Sequence, residues 1–279
     1  LVGDREGNIF GSTYINQHMF GLRPGGHVRD LGKVIRADGQ VDSMHAGRDG
    51  RVYMGSYVRA HLSIYDPSLP WQPGTSPDSN PRELGEVGHG QYRTCAIVLG
   101  PDDRVWVGTI PSYNSAPTGA FSVWDPATGG HRSWLDLVPG GAVRQMAAGE
   151  RYLYCAGGGR FFAWDPVAEE KVHEVEMPVG SLAVAPGGTV VISSGDEVRF
   201  FDAETMEFAG AIRSPIGSMS HMAVTPDGNV CGISSEAVAR ILPASHEVER
   251  IADEGGRLIA SDADGALYFA RDAQLWRLR

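Results

Sequence analysis

The chain alternates between short apolar runs and polar turns, with no apolar stretch at helical spacing. One unit recurs: an apolar strand, a tight turn, a second strand, a polar loop, then a third strand. The turns after the first strand fall at Glu6-Gly7, Asp49-Gly50, Asp102-Asp103, Gly149-Glu150, Gly187-Gly188, Asp227-Gly228 and Asp264-Gly265. Their second residues are spaced by 43, 53, 47, 38, 40 and 37. The segments that follow, such as Val52-Tyr53-Met54, Val105-Trp106-Val107 and Val190-Val191-Ile192, are rich in β-branched and aromatic residues. Third strands end in Tyr65-Asp66-Pro67, Trp124-Asp125-Pro126, Trp164-Asp165-Pro166 and Phe201-Asp202, where Pro stops the ladder and Asp caps a turn.

Seven such units with a period near 40 predict an all-β, seven-bladed β-propeller. We read residues 1–279 as a single propeller domain that starts part-way into its first unit. Leu1 already lies on a first strand, there is no initiator Met, and no segment remains to give the seventh blade an outer strand. The expectation is a chain trimmed at its N-terminus and forming part of a longer protein.

Composition narrows the function classes. The 24 basic and 34 acidic residues give a net charge of −10, which argues against a general nucleic-acid binder. Residues 1–140 hold 12 basic and 14 acidic side chains, and residues 141–279 hold 12 and 20. Six of the nine histidines lie in the first part, so polar chemistry is expected there. No apolar run reaches the roughly 18 residues of a membrane span, and no membrane partner is expected. Cys95, Cys155 and Cys231 each fall in a strand-like run without metal-ligand spacing, and read as buried free thiols. No phosphate-binding loop, dinucleotide fingerprint, zinc-protease helix or nucleophile elbow occurs, so no cofactor or metal is expected.

One face of a propeller is built from the loops joining second to third strands and from the approaches to the innermost strands. The loops Ser12–His18 and Gly55–His61 align without a gap, matching Tyr14 with Tyr57 and His18 with His61. The third loop brings Pro111-Ser112-Tyr113-Asn114, and the fourth only Gly157-Gly158-Gly159. The innermost approaches contribute Asp42 and His45, then Tyr92 and Arg93, then Arg144, then His221. In the alignment Arg93 and Arg144 occupy the same repeat position, and His221 matches Gln145 and Thr94.

Gly55-Ser56-Tyr57, Tyr65-Asp66-Pro67, Arg82-Glu83-Leu84-Gly85 and Tyr92-Arg93-Thr94-Cys95-Ala96 together resemble the seven-bladed propellers of carbohydrate-active enzymes. Those that cleave rhamnose–glucuronate linkages, as lyases or hydrolases, and the propeller-type ulvan lyases are the nearest in pattern. The resemblance covers roughly the first four units and implies an acidic oligosaccharide or polysaccharide as partner, and a secreted or periplasmic location. In uronate β-elimination a bidentate cation neutralises the carboxylate while a base takes the C5 proton. On that reading His45 or His61 is the base and Tyr57 or Tyr14 the acid. Arg93, Arg144, Arg59, Tyr92, Tyr113, His18 and His221 would then bind substrate. The alternative is a non-catalytic propeller that binds a protein or glycan partner, since the fold hosts many unrelated functions.

Overall fold

The computed structural model describes residues 1–35, 39–112 and 115–278. These residues contain strands and turns and no helix, in seven antiparallel sheets. The chain forms a seven-bladed β-propeller. The first strand of each blade is Val2–Gly3, Gln40–Ala46, Gln91–Leu99, Gln145–Ala148, Ser181–Val184, His221–Val224 and Leu258–Ser261 in turn. Each contacts the first strand of the next blade, and Leu258–Ser261 returns to Val2–Gly3, so these strands line the central axis. Six sheets have four strands and the seventh has three, Leu258–Ser261, Leu267–Arg271 and Gln274–Leu278. Val2–Gly3 pairs with Ile9–Ser12 inside blade one, as the repeat register predicts.

Six of the seven first-to-second-strand hairpins use three loop residues, and the one at Gly149 uses two, the Gly149 amide donating to the Tyr152 carbonyl at 2.8 Å. In blade two the Gly47 amide donates to the Arg51 carbonyl at 2.8 Å, and the Gly50 amide to the Gly47 carbonyl at 3.1 Å. The same pair of bonds recurs at Asp4, Gly100, Ala185, Thr225 and Asp262. The last loop residue must adopt a left-handed conformation, which Gly50 does at φ 81° and Asp103 at φ 60°. Asp49 and Asp102 then accept bonds from Tyr53 Oη at 2.6 Å and Trp106 Nε1 at 3.1 Å, tying each turn to the strand it opens. At the third-strand ends, Asp66, Asp125, Asp165 and Asp202 accept bonds from amides two residues on.

Alternation along each strand sends apolar side chains to both faces of its sheet, and each face meets a neighbouring blade. The core is therefore a ring of seven inter-blade layers. Blades three and four share Trp106, Phe121, Leu153, Phe162 and Trp164; blades seven and one share Ile9, Ala260, Ala266 and Tyr268, closing the ring. Each fully buried residue of this size contributes about 1.5–3 kcal/mol. Arginines stitch the same seams: Arg48 donates to the Gly100 carbonyl, Arg82 to the Pro126 carbonyl and Arg104 to the Pro166 carbonyl. The end of the propeller that carries the hairpin turns is thus occupied with structural bonds. The opposite end is where side chains are left over.

Candidate functional site at the channel mouth

Blades four, five and seven join their second and third strands by two-residue turns, as at Gly158-Gly159 between the paired Gly157 and Arg160. Both glycines have positive φ, 58° and 73°, which suits a tight two-residue hairpin. Blades one and two instead raise longer loops, with Thr13–Gln17 and Tyr57–Ala60 lying outside the ladder between second and third strands. The mouth is tall on one side and bare on the other.

One side-chain cluster on the tall side joins blades two and three. The Arg93 guanidinium lies 4.0 Å from the Tyr57 ring centroid. Its Nη1 donates to Asp42 Oδ1 at 3.2 Å and Oδ2 at 3.3 Å. Gln40 Nε2 donates to the same carboxylate at 2.7 Å. Tyr92 sets its ring edge-on against Tyr57, 4.8 Å between centroids. The Asp42 side chain is 12% exposed and that of Arg93 38%, so the pair is anchored at one end and wet at the other. Burial raises the Asp42 carboxyl above its ordinary range, opposed by Gln40 and Arg93. The Tyr57 phenol is also raised, first by its Tyr92 neighbour and then by burial.

Tyr14 occupies the position in blade one that Tyr57 occupies in blade two, yet it is 76% exposed. The ladders explain the difference. Ser43 pairs with Gly55 and Ala96 with Gly108, so Tyr92 and Arg93 correspond to Gly39 and Gln40 in blade two. Among the described residues, the positions facing Tyr14 that correspond to Tyr92 and Arg93 therefore offer no ring and no guanidinium. Ile15 beside it is equally open.

The histidines separate into two kinds. His18 and His61 each open a third strand and each faces an acid on the fourth. His18 Nδ1 is 2.9 Å from Asp30, and His61 Nε2 is 3.3 Å from Glu86, which Arg59 also reaches at 3.2 Å. His45 lies five residues beyond Gln40, opposite Tyr53 and next to the hairpin-turn end. It remains partly accessible along the channel, yet the surrounding protein lowers its pKa to about 4, with burial the main cause. His221 is likewise lowered to about 4 by burial, and its Nδ1 accepts the Ile259 amide at 3.4 Å. Tyr113 lies outside the described residues.

The shared position of Arg93 and Arg144 is corrected by the ladders. Arg144, Gly180, Ser220 and Arg257 each donate their amide to the fourth residue, counted from the hairpin, of the ladder that the second strand makes with the first, namely Ala156, Ser193, Ile233 and Ala270. The equivalents in blades two and three are Asp42 and Cys95, each left as an extra residue by a bulge. Arg93 is two residues earlier, and His221 matches Ala96 rather than Thr94. The inner ring at the mouth thus carries Asp42, Cys95, Arg144, Gly180, Ser220 and Arg257. The same ladder position on blade seven is taken by Arg257, an exposed arginine that the sequence reading did not single out. Arg144 is also exposed, and neither arginine has an ion-pair partner among the described residues. Of the three thiols, Cys155 and Cys231 are buried and Cys95 is partly accessible.

Grooves of about 490 and 400 Å³ lie on the flanks, between the outer strands of blades five and six and between blades seven and one, away from this mouth. Among the described residues no group of three His, Cys, Asp or Glu side chains is placed to hold a metal ion.

No protein-family model matches the chain, and no curated protein matches it in sequence. Solved structures do match in fold. A chain from the crystal structure of the mitotic checkpoint complex superposes with TM-score 0.76 at 14% identity, covering 100% of this chain and 90% of that one. The WD40 β-propeller domain of Doa1 superposes with TM-score 0.72 at 12% identity, covering 99% and 91%. These neighbours overturn the expectation of an enzyme acting on an acidic oligosaccharide or polysaccharide. The fold expectation holds, while the likeness to carbohydrate-active enzymes finds no counterpart in these WD40-type propellers. Geometry agrees: His45 and Tyr57 are at opposite ends of their paired strands, and the ring nitrogens of His18 and His61 that face the fourth strands are taken by Asp30 and Glu86.

Proposed function

We propose that this chain, acting as one propeller domain, is a non-catalytic protein-interaction scaffold whose binding face is the channel mouth over blades one to four. The observation that carries this reading is the Tyr57–Arg93–Asp42 stack beside the open side chains of Tyr14, Ile15 and Arg59. Tyr and Arg are the residue types that dominate protein interfaces, because each brings a large contact area together with a polar group. The stack holds Arg93 and Tyr57 in place before any partner arrives, which lowers the ordering cost of binding. The WD40-type neighbours support the same reading, one of them being a subunit of a named protein complex.

A photo-reactive amino acid placed at Tyr14 tests it against the same group placed at Val167. Val167 is 84% exposed but follows a third strand, at the hairpin-turn end. Partner proteins should crosslink at position 14 and far less at 167, and the substitution Arg93→Ala should remove the crosslinks at 14. Equal crosslinking at both positions overturns the assignment of this face.

A further inference from the structure

The inner ring of the mouth has a charge pattern opposite to that of the whole molecule. The chain carries −10, yet the ring positions present Arg144 and Arg257, with Arg93 two residues behind Cys95 and one carboxylate, Asp42. Arg93 spends its charge on Asp42, whereas Arg144 and Arg257 are exposed and have no ion-pair partner among the described residues. Arg144 stands on the blade next to Arg93, since the first strands of blades three and four are in contact. Cys95 lies within electrostatic reach of Arg93, Arg144 and Asp42 together. Arg257 stands on blade seven, across the ring.

We propose that the mouth binds an extended acidic segment of a partner protein, with one Asp or Glu carboxylate between Arg144 and Arg93 and a second acidic side chain at Arg257. This rests on the protein-interaction reading and adds the chemistry of the partner. The charge balance selects a carboxylate over a phosphate. Two arginines and one aspartate leave a single positive charge beside Cys95, which a monoanion neutralises, while a dianion would leave a net negative charge there. A planar guanidinium also matches the two oxygens of a carboxylate in a fork. The Tyr57 ring under the Arg93 guanidinium, with Tyr92 packed against it, offers apolar surface to the residue next to the acid. Nothing comparable exists at the Gly180 and Ser220 positions, so the segment is fixed at blades four and seven and passes over blades five and six.

The test uses an array of end-blocked dodecapeptides in matched sets, in which one or two Glu residues are replaced by Gln or by phosphoserine. Binding is read by fluorescence anisotropy on the whole chain. Mouth occupancy is read by the rate at which iodoacetamide alkylates Cys95, the accessible thiol of the three. Glu peptides should bind about tenfold tighter than their Gln twins and slow the alkylation, as expected for a charge-assisted contact. The preference should weaken with added salt. It should be lost in Arg144→Gln, fall in Arg257→Gln for the two-Glu set, and persist in Arg213→Gln, whose guanidinium faces Asp196 at the end of an outer strand. Equal binding of Glu and Gln twins with Cys95 still protected overturns this inference and leaves the protein-interaction reading standing. Preference for phosphoserine overturns it in favour of a dianion. No binding by any peptide, with Cys95 unprotected, overturns both.

Discussion

Blades two and three differ from blades four to six in how closely the next blade approaches at the mouth. The fourth second-strand residue of the ladder with the first strand, counted from the hairpin, is Gly55 and Gly108 in the first pair, but Ala156, Ser193 and Ile233 in the others. A Cβ on Gly108 would lie 2.2 Å from the Val143 carbonyl oxygen, and one on Gly55 2.4 Å from Thr94 Oγ1. Bulges at Asp42, Cys95 and Tyr92 go with this approach, and they re-aim side chains that a regular ladder would have kept on the strand faces. Blades four to six keep regular ladders between their first and second strands, and the ring positions of blades five and six shrink to Gly180 and Ser220. The comparison teaches that the same repeat can be spent on packing or on presentation. Where it presents groups, it does so by giving up side-chain volume and ladder regularity.

The largest expected effect lies in what the two regions share. Trp106 is fully buried between blades three and four, stacked against Phe121 and Trp134, with its Nε1 bonded to Asp102. Trp106→Ala should cost about 3–5 kcal/mol in denaturant unfolding, the usual range for emptying such a site. A loss below 1 kcal/mol would show that the inter-blade layer does not hold the ring together.

A second effect should be common to both regions, because His45 belongs to blade two and His221 to blade six. Burial lowers both to about 4, below the ordinary value of 6.5. Between these values the unfolded chain binds more protons than the folded one, so stability rises with pH. It is fully present above about pH 6.5 and lost as pH falls towards 4. Discounting for channel water, each site should contribute about 1–3 kcal/mol to that loss. Thermal unfolding between pH 7 and 4 should show His45→Gln and His221→Gln each flattening part of the slope. If neither variant alters the slope, carboxylate protonation accounts for it instead.

Gly108→Ala sharpens the comparison itself. With backbone in the way, the blade seam must open, and about 1–3 kcal/mol should be lost, the cost of overpacking. The converse, Ala156→Gly in blade four, meets no such obstacle and should cost about 1 kcal/mol or less, mainly as backbone entropy. Equal losses at the two positions would mean that blades two and three are no tighter than the rest.

Much of the fold was legible because turn chemistry and strand alternation are local. Asp-Gly and Gly-Gly turns, aromatic second strands and aromatic-Asp endings each follow from a few neighbouring residues. The bulges were not legible: one extra residue leaves the alternation on either side intact, so the alignment slid by one or two positions. That slip paired Arg93 with Arg144. The contact of Arg93 with Tyr57 joins residues from different blades, which no local pattern encodes. The chemistry went astray for another reason. Tyr, His and Arg gathered at a mouth suit a sugar acid and a protein surface equally. The solved structures of similar fold turned the reading, and what His18 and His61 already hold agrees with it.

The smallest expected effect is the most telling for the role of the mouth. Tyr14 and Arg144 touch little, and Arg59 shares Glu86 with His61, which keeps that carboxylate partnered when the arginine is removed. Exposed ion pairs of this kind contribute about 0–1 kcal/mol, and substitutions at such open positions usually change stability by less than about 0.5 kcal/mol. The triple variant Tyr14→Ser, Arg59→Gln, Arg144→Gln should therefore unfold within about 1 kcal/mol of the parent, the three sites sharing no contacts and adding independently. Its crosslinks to partner proteins through a photo-reactive group at Ile15 should nevertheless fall by tenfold or more. Stability held and binding lost would separate presentation from packing at the level of single side chains. A triple variant that unfolds several kcal/mol more readily would place these residues in the architecture, and the contrast between the two sides of the mouth would then be one of packing alone.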